Sequence, residues 1–386
     1  MNSCLPFAVN SLLKHVRRGV PVNAAVSPLS LSASVTMLGA GCSGRLLDRV
    51  LDFAGSKSLD ELKSRFSETM SMANTSRAKG CPEIKFVNGV WIDKRLTFKP
   101  SYHKCITDTF KSQAKVHDFQ KQGGKAAVVD INAWVNVQTK GLIPSIIDAI
   151  RPETAAILGN ALYFKGAWLD AFNPKYTRKR DFYLVNGDKI KDVPFMTSNK
   201  SYLYGSFKDF KVLEIPYQRR NGDDNAFSMQ LILPKEKNGL QKLLEKFDAD
   251  LGCLNGQFEL EKHFIDDLWI PKFKFEFTLE NIQFPFMNEG GIINMTDMFV
   301  QTEEGPLYPK IFQKVMIEVS EEGTEAAAVT LSTVFGACAP SVKKPPRVRR
   351  TFVAEHPFMF IIKEENSGIV IFTGIVLNPQ KRAEIK

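Results

Sequence analysis

Closely spaced cysteines are missing from this sequence. Its six cysteines form no Cys-x-x-Cys pair, and its five histidines have no spacing that is typical of a zinc site. We therefore expect reduced thiols, no metal and no cofactor. A Gly-x-Ser-x-Gly motif is also missing, so nothing in the sequence supports nucleophilic catalysis.

Long apolar runs and a secretory signal are missing as well. No run approaches the ~18 residues that cross a bilayer. The short run at residues 5–9 contains a proline and precedes Lys14 and Arg17, whereas a secretory signal has its basic residues first. We expect no membrane contact and a cytoplasmic or nucleocytoplasmic location. Import into an organelle or release from the cell stays open, because no acidic residue precedes Asp48.

The apolar pattern changes from helical to β-like along the chain. Helical spacing comes first, and alternating or continuous apolar runs bounded by Gly, Pro or Asn-Gly follow from residue 155 onward. We expect helices at residues 45–53, 59–70, 131–138 and 240–251, and strands at 155–164, 211–215, 227–233, 358–362 and 369–376. This order predicts an α+β fold built around antiparallel sheets.

One motif formally matches a dinucleotide-binding fingerprint. Gly39, Gly41 and Gly44 have the Gly-x-Gly-x-x-Gly spacing, but the fingerprint needs a strand before its first glycine. Here Ser27 followed by Pro28 is a helix start, so the residues before Gly39 are expected to be helical. The glycines are interpreted as the junction between two helices.

The segment 321–350 is long for a loop and has no clear secondary-structure element. Its first part nevertheless has the alternating residue pattern of a β-strand. Every second residue from Thr324 to Val334 is small and uncharged, and the charge of Glu325 lies on the opposite face. A flexible linker would favour Gly, Ser, Pro and charge instead. This pattern indicates a loop that can become a tightly buried strand.

The start of this segment resembles the hinge of the inhibitory serpins almost letter for letter. The hinge residues are Glu321, Glu322, Gly323, Thr324, Glu325, Ala326, Ala327 and Ala328. Other blocks similar to the family lie in order along nearly the whole chain, at residues 27–30, 160–168, 193–196, 356–358 and 374–379. Residues 91–94 and 352–357 resemble the plant branch in particular.

The resemblance implies one domain over residues 1–386, with about nine helices on three mostly antiparallel sheets and a reactive-centre loop at about 321–352. It implies an irreversible protease inhibitor, acting as a monomeric suicide substrate, and no enzyme. In the family, a protease attacks the loop and forms an acyl-enzyme. The freed hinge then inserts into the central sheet and traps the protease covalently before the ester hydrolyses. We expect Thr324 to be exposed before cleavage. The alternative is a non-inhibitory serpin that serves as a binding or carrier protein.

The attacked bond follows from the family's spacing. The residue fourteen after Gly323 is Ala337, so the expected bond joins Ala337 to Cys338. A small residue there suits elastase-like serine proteases. The runner-up bond joins Phe335 to Gly336 and suits chymotrypsin-like enzymes; papain-like cysteine proteases are a further class of target.

Five residues match conformational positions of the family. Ser27, Ser30 and Asn160 match the shutter, the polar cluster beneath the strands that must part, and Trp168 matches the breach, where the hinge enters. Many serpins have a shutter histidine where this chain has Gln313, which forms hydrogen bonds but does not titrate near neutral pH.

A basic arm follows the expected bond. It contains Lys343, Lys344, Arg347, Arg349 and Arg350, in a chain with a net charge of +9. Clustered cations accelerate encounter with anionic surfaces. The arm is either a docking site for an acidic protease surface or a polyanion, or a solvated linker.

Overall fold

The computed structural model describes residues 2–74, 81–219, 226–250, 252, 258–287, 297–301, 308–324 and 348–381. Within these ranges no helix combines the length and apolarity that a membrane crossing requires. The same ranges contain seven α-helices, where the resemblance implies about nine: α1 Leu5–Arg17, α2 Pro28–Gly39, α3 Gly44–Ala54, α4 Leu59–Asn74, α5 Pro100–Lys104, α6 Lys125–Gln138 and α7 Leu240–Ala249.

Helix α2 begins where the Ser-Pro pair predicts. The Ser27 hydroxyl accepts a hydrogen bond from the Ser30 amide at 3.1 Å, and Pro28 supplies a helix-compatible φ in the first turn. The helix ends at Gly39, and α3 begins at Gly44. The interpretation of these glycines as a helix junction is therefore confirmed.

A six-stranded central sheet positions the candidate site. Its strands, in spatial order, are β13 Phe273–Leu279, β15 Tyr308–Val319, β16 Gly323–Thr324, β5 Thr154–Ala167, β2 Glu83–Asp93 and β4 Gln113–His117. β5 and β15 are parallel, as are β2 and β4, whereas the other pairings are antiparallel. The near-continuous apolar sequence of β5 fits a sheet covered on both faces.

Two further sheets complete the architecture. The seven-stranded sheet is antiparallel throughout, in the order β1 Ala24–Val26, β19 Val370–Val376, β18 Phe358–Glu364, β10 Phe227–Pro234, β9 Phe210–Pro216, β8 Ser201–Ser206 and β11 Glu261–Phe264. The four-stranded sheet contains β17 Thr351–Val353, β12 Asp267–Pro271, β7 Lys189–Met196 and β6 Arg178–Tyr183. A small pair joins β14 Phe299–Gln301 to β3 Leu96–Phe98.

The two faces of the central sheet lie against different apolar clusters. Leu158, Leu162 and Phe164 of β5 belong to the main core, which also includes α2 and the seven-stranded sheet. Ile157 and Ala161 of the same strand face a smaller cluster under α6. Residues two apart share a face of a strand. From Ala156 onward, the even-numbered residues of β5 therefore face the main core, and the odd-numbered ones face the side of α6.

Candidate functional site in the fork between β5 and β15

The central sheet is forked at the hinge. β5 and β15 pair directly from Tyr308 opposite Thr154 to Met316 opposite Tyr163. Beyond that point, the two residues of β16 lie between them. Gly323 and Thr324 pair with Ala167 and Gly166 of β5, and Thr324 also pairs with Val319 of β15. The first two hinge residues after Glu322 are therefore already a short strand of the sheet.

Gly323 occupies a position that only glycine fits. Its φ is +152°, and a Cβ atom there would lie 2.1 Å from the Gly166 carbonyl oxygen and 2.7 Å from the Ala167 Cα. Both contacts are with backbone, which has no room to move aside. The glycine of the hinge motif thus permits the close approach of β16 to β5.

The breach is an aromatic cluster that encloses the start of the hinge. The Trp168 ring stacks on Tyr217 with centroids 4.6 Å apart, and its Nε1 donates to the Ser320 carbonyl at 2.9 Å. The Trp168 amide donates to the Glu322 carbonyl at 2.9 Å. Trp168 therefore contacts Ser320, just before the hinge, through its ring and Glu322 of the hinge through its backbone.

Thr324 is buried in this cluster, and the expectation that it is exposed before cleavage is wrong. Its side chain has no exposed area, and its Oγ1 lies 2.7 Å from Tyr217 Oη in a shared hydrogen bond. Burial raises the pKa of Tyr217, so the phenol stays protonated. The physical reason for the correction is the early pairing of β16, which places Thr324 inside the sheet.

An ion pair with a buried carboxylate precedes the hinge glycine. Glu321 Oε2 lies 2.7 Å from Lys272 Nζ, and Thr177 Oγ1 donates to Glu321 Oε1 at 2.7 Å. Desolvation opposes ionisation of this carboxyl, but the hydrogen bonds from Lys272 and Thr177 outweigh it and lower the pKa of Glu321. At neutral pH the carboxylate connects the base of the hinge to β12–β13 and to the turn before β6.

The shutter lies halfway along the same two strands. Gln313 of β15 forms two hydrogen bonds with Ser27: its Oε1 accepts from the Ser27 amide and its Nε2 donates to the Ser27 carbonyl, both at 2.9 Å. On β5, Asn160 Oδ1 accepts from the Ser34 hydroxyl, and Asn160 Nδ2 donates to Asn88 Oδ1. Helix α2 with its N-cap therefore contacts both strands that would part.

The residues predicted for the shutter lie close together in the structure. Asn88 and Ser34 join them, whereas the Ser30 hydroxyl takes no part in their hydrogen bonds. Asn88, Asn160 and Gln313 form a row across β2, β5 and β15. The sequence singled out neither Asn88 nor Ser34, because a small polar residue in an apolar element carries no motif. The Ser30 amide bonds to Ser27, but its buried hydroxyl has no hydrogen-bond partner among the described residues.

Several predicted residues lie outside the described ranges. These are Glu325, Ala326, Ala327 and Ala328 of the hinge, the two candidate bonds at Phe335, Gly336, Ala337 and Cys338, and Lys343, Lys344 and Arg347 of the arm. The end of the arm is described. Arg349 is exposed, and the Arg350 amide donates to Asp266 Oδ2 at 2.8 Å just before β17 begins.

Comparisons with known proteins agree over the whole chain. The model of a family described as Serpin (serine protease inhibitor) matches residues 4–379. Serpin-ZX of Arabidopsis thaliana is 35% identical over 385 residues, or 96% of each chain. Serpin-Z2A of Triticum aestivum is 35% identical over 369 residues, which cover 92% of this chain and 90% of its own.

Solved structures give the same match. AtSerpin1 from Arabidopsis, in its native stressed conformation, has a TM-score of 0.83 at 32% identity, with 98% of each chain covered. Thyroxine-binding globulin in complex with thyroxine has a TM-score of 0.75 at 21% identity, with 98% of this chain and 99% of its own covered. The second likeness concerns the fold alone.

Proposed function

This chain belongs to the serpin family, with relatives among the plant serpins, and from that premise we propose that it is a suicide-substrate inhibitor of a protease. The protease's nucleophile attacks the Ala337 carbonyl carbon. The Ala337–Cys338 peptide bond breaks, the Cys338 amine leaves as a new N-terminus, and an acyl ester joins Ala337 to the enzyme. The freed hinge then inserts between β5 and β15, carrying the protease with it.

The register of β16 is the observation that carries this proposal. Gly323 lies opposite Ala167, and Thr324 lies opposite both Gly166 and Val319. Continued insertion in this register would place Thr330 opposite Asn160 and Gln313, which are themselves direct partners across β5 and β15. The new strand would thus match both neighbours at once, and its threonine would join the polar row of the shutter.

The length of β5 favours Ala337 as the attacked residue. β5 extends from Thr154 to Ala167, and the same register would place Gly336 opposite Thr154. Insertion of every residue up to Gly336 would fill the strand and leave the ester at Ala337 just beyond its end. A cut after Phe335 would leave the ester opposite Ala155, inside the sheet, where an attached protease does not fit.

Insertion must also rearrange what lies on each side of the sheet. A new strand widens the sheet by about 4.8 Å. The odd-numbered loop residues would face the cluster that α6 covers, so α6 must shift for them to enter. The even-numbered ones would face the main core, which fits their small uncharged side chains. Burying them and completing the ladders on both sides supplies the driving force.

The target class follows from the bond. Ala337 suits an elastase-like serine protease, a cut after Phe335 suits a chymotrypsin-like one, and a papain-like cysteine protease forms the equivalent thioester.

The proposal includes the basic arm as a docking segment for an acidic protease surface, since its last residues lead directly into β17. It also includes a cytoplasmic or nucleocytoplasmic location.

The test mixes the protein with pancreatic elastase, chymotrypsin and papain and separates the products in denaturant. We expect a covalent complex that survives denaturation, and a released C-terminal peptide that begins at Cys338. A peptide that begins at Gly336 moves the bond to Phe335. If all three proteases cut the loop and stay fully active, the inhibitory function is wrong and the carrier function takes its place.

A further inference from the structure

A hollow lies beside helix α2, between α2, α4 and the main-core face of β2. Its walls come from α2 and α4, with Ala54 of α3, Phe86 of β2 and the start of β19 closing the rest. Asn2 fixes one end, since its Nδ2 donates to the Gly368 carbonyl at 2.8 Å and its Oδ1 accepts from the Val370 amide at 3.0 Å. The hollow is therefore a built feature between rigid elements.

The chemistry of the lining is apolar with a single charge. Most of its surface comes from side chains such as Leu29, Ala33, Leu62, Phe66 and Phe86. Among the described residues, Arg65 is the one charged side chain in the lining. This combination fits an apolar molecule with one polar end.

Arg65 has capacity for an anionic ligand. Its Nη1 donates to the Gly55 carbonyl at 3.0 Å and its Nη2 to Glu61 Oε1 at 2.5 Å. A guanidinium has five N–H donors, and the contacts with Gly55 and Glu61 use two of them, so others can donate to a carboxylate. About a third of the Arg65 side chain is exposed, with a relative accessibility of 34%.

The shape of the hollow limits the ligand to a slender molecule. Its empty volume is about 620 Å³ including the open mouth, and the centres of water-sized molecules can occupy about 50 Å³ of it. An aliphatic chain fits a hollow with this little free volume, because it is only one methylene group wide along its length. A bulky ring system would have to displace α2 or α4.

Helix α2 connects this hollow to the shutter. Leu29, Ser32, Ala33 and Thr36 line the hollow, whereas Ser27, at the N-cap, and Ser34 bond to Gln313 and Asn160. At about 3.6 residues per turn, these two sets lie on nearly opposite faces of the helix. A ligand in the hollow would therefore contact α2 on the face away from its hydrogen bonds to β5 and β15.

Parting β5 from β15 requires α2 to give way. A strand inserted between them separates Asn160 from Gln313 by about 4.8 Å more, and a rigid helix cannot keep its contacts with both. Either one contact breaks or α2 shifts toward the hollow. An occupied hollow opposes that shift and so stabilises the closed sheet.

We propose that the hollow binds a slender aliphatic carboxylate, with its chain between α2 and α4 and its head group at Arg65, and that binding slows opening of the sheet. The binding claim is independent of protease inhibition. The effect on opening rests on the proposed function.

The experiment adds sodium decanoate to the full-length protein and measures its unfolding temperature and its binding by calorimetry. We expect the unfolding temperature to rise by about 3 °C at a hundredfold excess over the dissociation constant. Decanol, which has the same chain without the charge, should bind more weakly. In the presence of decanoate, the moles of inhibitor consumed per mole of protease inhibited should rise roughly twofold.

Three variants separate specific from general binding. Arg65→Gln should remove the preference for decanoate over decanol, whereas Lys63→Gln on the same helix should keep it. Ala33→Phe should fill the hollow and abolish binding. Equal binding of decanoate to wild type and Arg65→Gln would overturn the head-group site, and no binding to wild type would overturn the proposal. Binding without any change in inhibition would overturn only the link to the shutter.

Discussion

The breach and the shutter are two regions along one pair of strands, and they differ in how far they have opened. At the breach, β16 already separates the ends of β5 and β15, and Thr324 is buried against Tyr217. At the shutter the same strands pair directly, and α2 with its N-cap contacts both through Ser34 and Ser27. In the proposed mechanism, insertion therefore needs no separation of strands at the breach, but it must break the direct β5–β15 pairing at the shutter.

The largest effect is expected from blocking the breach with Gly323→Val. A Cβ at this position meets backbone atoms at 2.1 and 2.7 Å, so β16 cannot keep its place beside β5. We expect loss of the covalent complex, with the loop still cut and the protease released active. Gly187→Val is the matched control, since Gly187 also has a positive φ, +87°, but its substituent would meet no described atom within 4 Å. A Gly323→Val variant that inhibits normally would show that the hinge does not enter here.

Gln313→Leu at the shutter is expected to have a smaller effect on insertion, and it should accelerate insertion instead of blocking it. The variant removes two hydrogen bonds to the Ser27 backbone and leaves those buried groups unpaired, which costs about 1–3 kcal/mol of native stability. Because the closed sheet is weakened, a synthetic peptide with the sequence of residues 323–336 should insert faster than into wild type.

Gln230→Leu is the control for general destabilisation. Gln230 is also buried, and its Nε2 donates to Glu214 in the seven-stranded sheet, away from the fork. It should lower the unfolding temperature without accelerating peptide insertion. Equal acceleration in both variants would remove the special role of the shutter.

The smallest effect is a pH-dependent one at Glu321. Its pKa is lowered in the folded protein, so the ion pair stabilises the fold above the ordinary carboxyl pKa of 4.5 and loses this contribution as pH falls through the lowered value. Glu321→Gln should therefore destabilise the protein at pH 7 by about 1 kcal/mol, because Lys272 is partly exposed. Denaturant unfolding should show this difference shrinking below pH 4.5. Glu318→Gln, at an exposed pair with Lys274, should change little; a constant difference for Glu321→Gln at all pH values would contradict the assignment.

The sequence predicts those parts of the site that carry local patterns. The Ser-Pro helix start and the glycine junction depend on residues adjacent in the chain, and both lie where expected. The hinge motif is also local, and its first residues lie at the central sheet, although Thr324 is buried there. Tyr217, Ser34, Asn88 and Lys272 were missed because their roles depend on partners far away in sequence. Lys272 is one of 51 basic residues, and only the fold distinguishes it from the others.

The burial of Thr324 shows a second limit. An alternating pattern indicates that a segment can become a strand, but not how much of it is a strand before cleavage. That division depends on where β5 and β15 stop pairing, which is a tertiary property. Arginine at Thr324 would therefore disturb the uncleaved protein as well, and a test of insertion needs a position further along the loop.

The most direct test of insertion in this register compares Ala326→Arg with Glu325→Arg. Ala326 would enter opposite Phe164 and Ile317, both buried in the main core, where an unpaired charge costs several kcal/mol. Glu325 would enter opposite Lys165 and Glu318 on the other face, where polar groups already lie. We expect Ala326→Arg to convert the inhibitor into a substrate and Glu325→Arg to keep the wild-type stoichiometry of inhibition. Normal inhibition by Ala326→Arg would contradict the account.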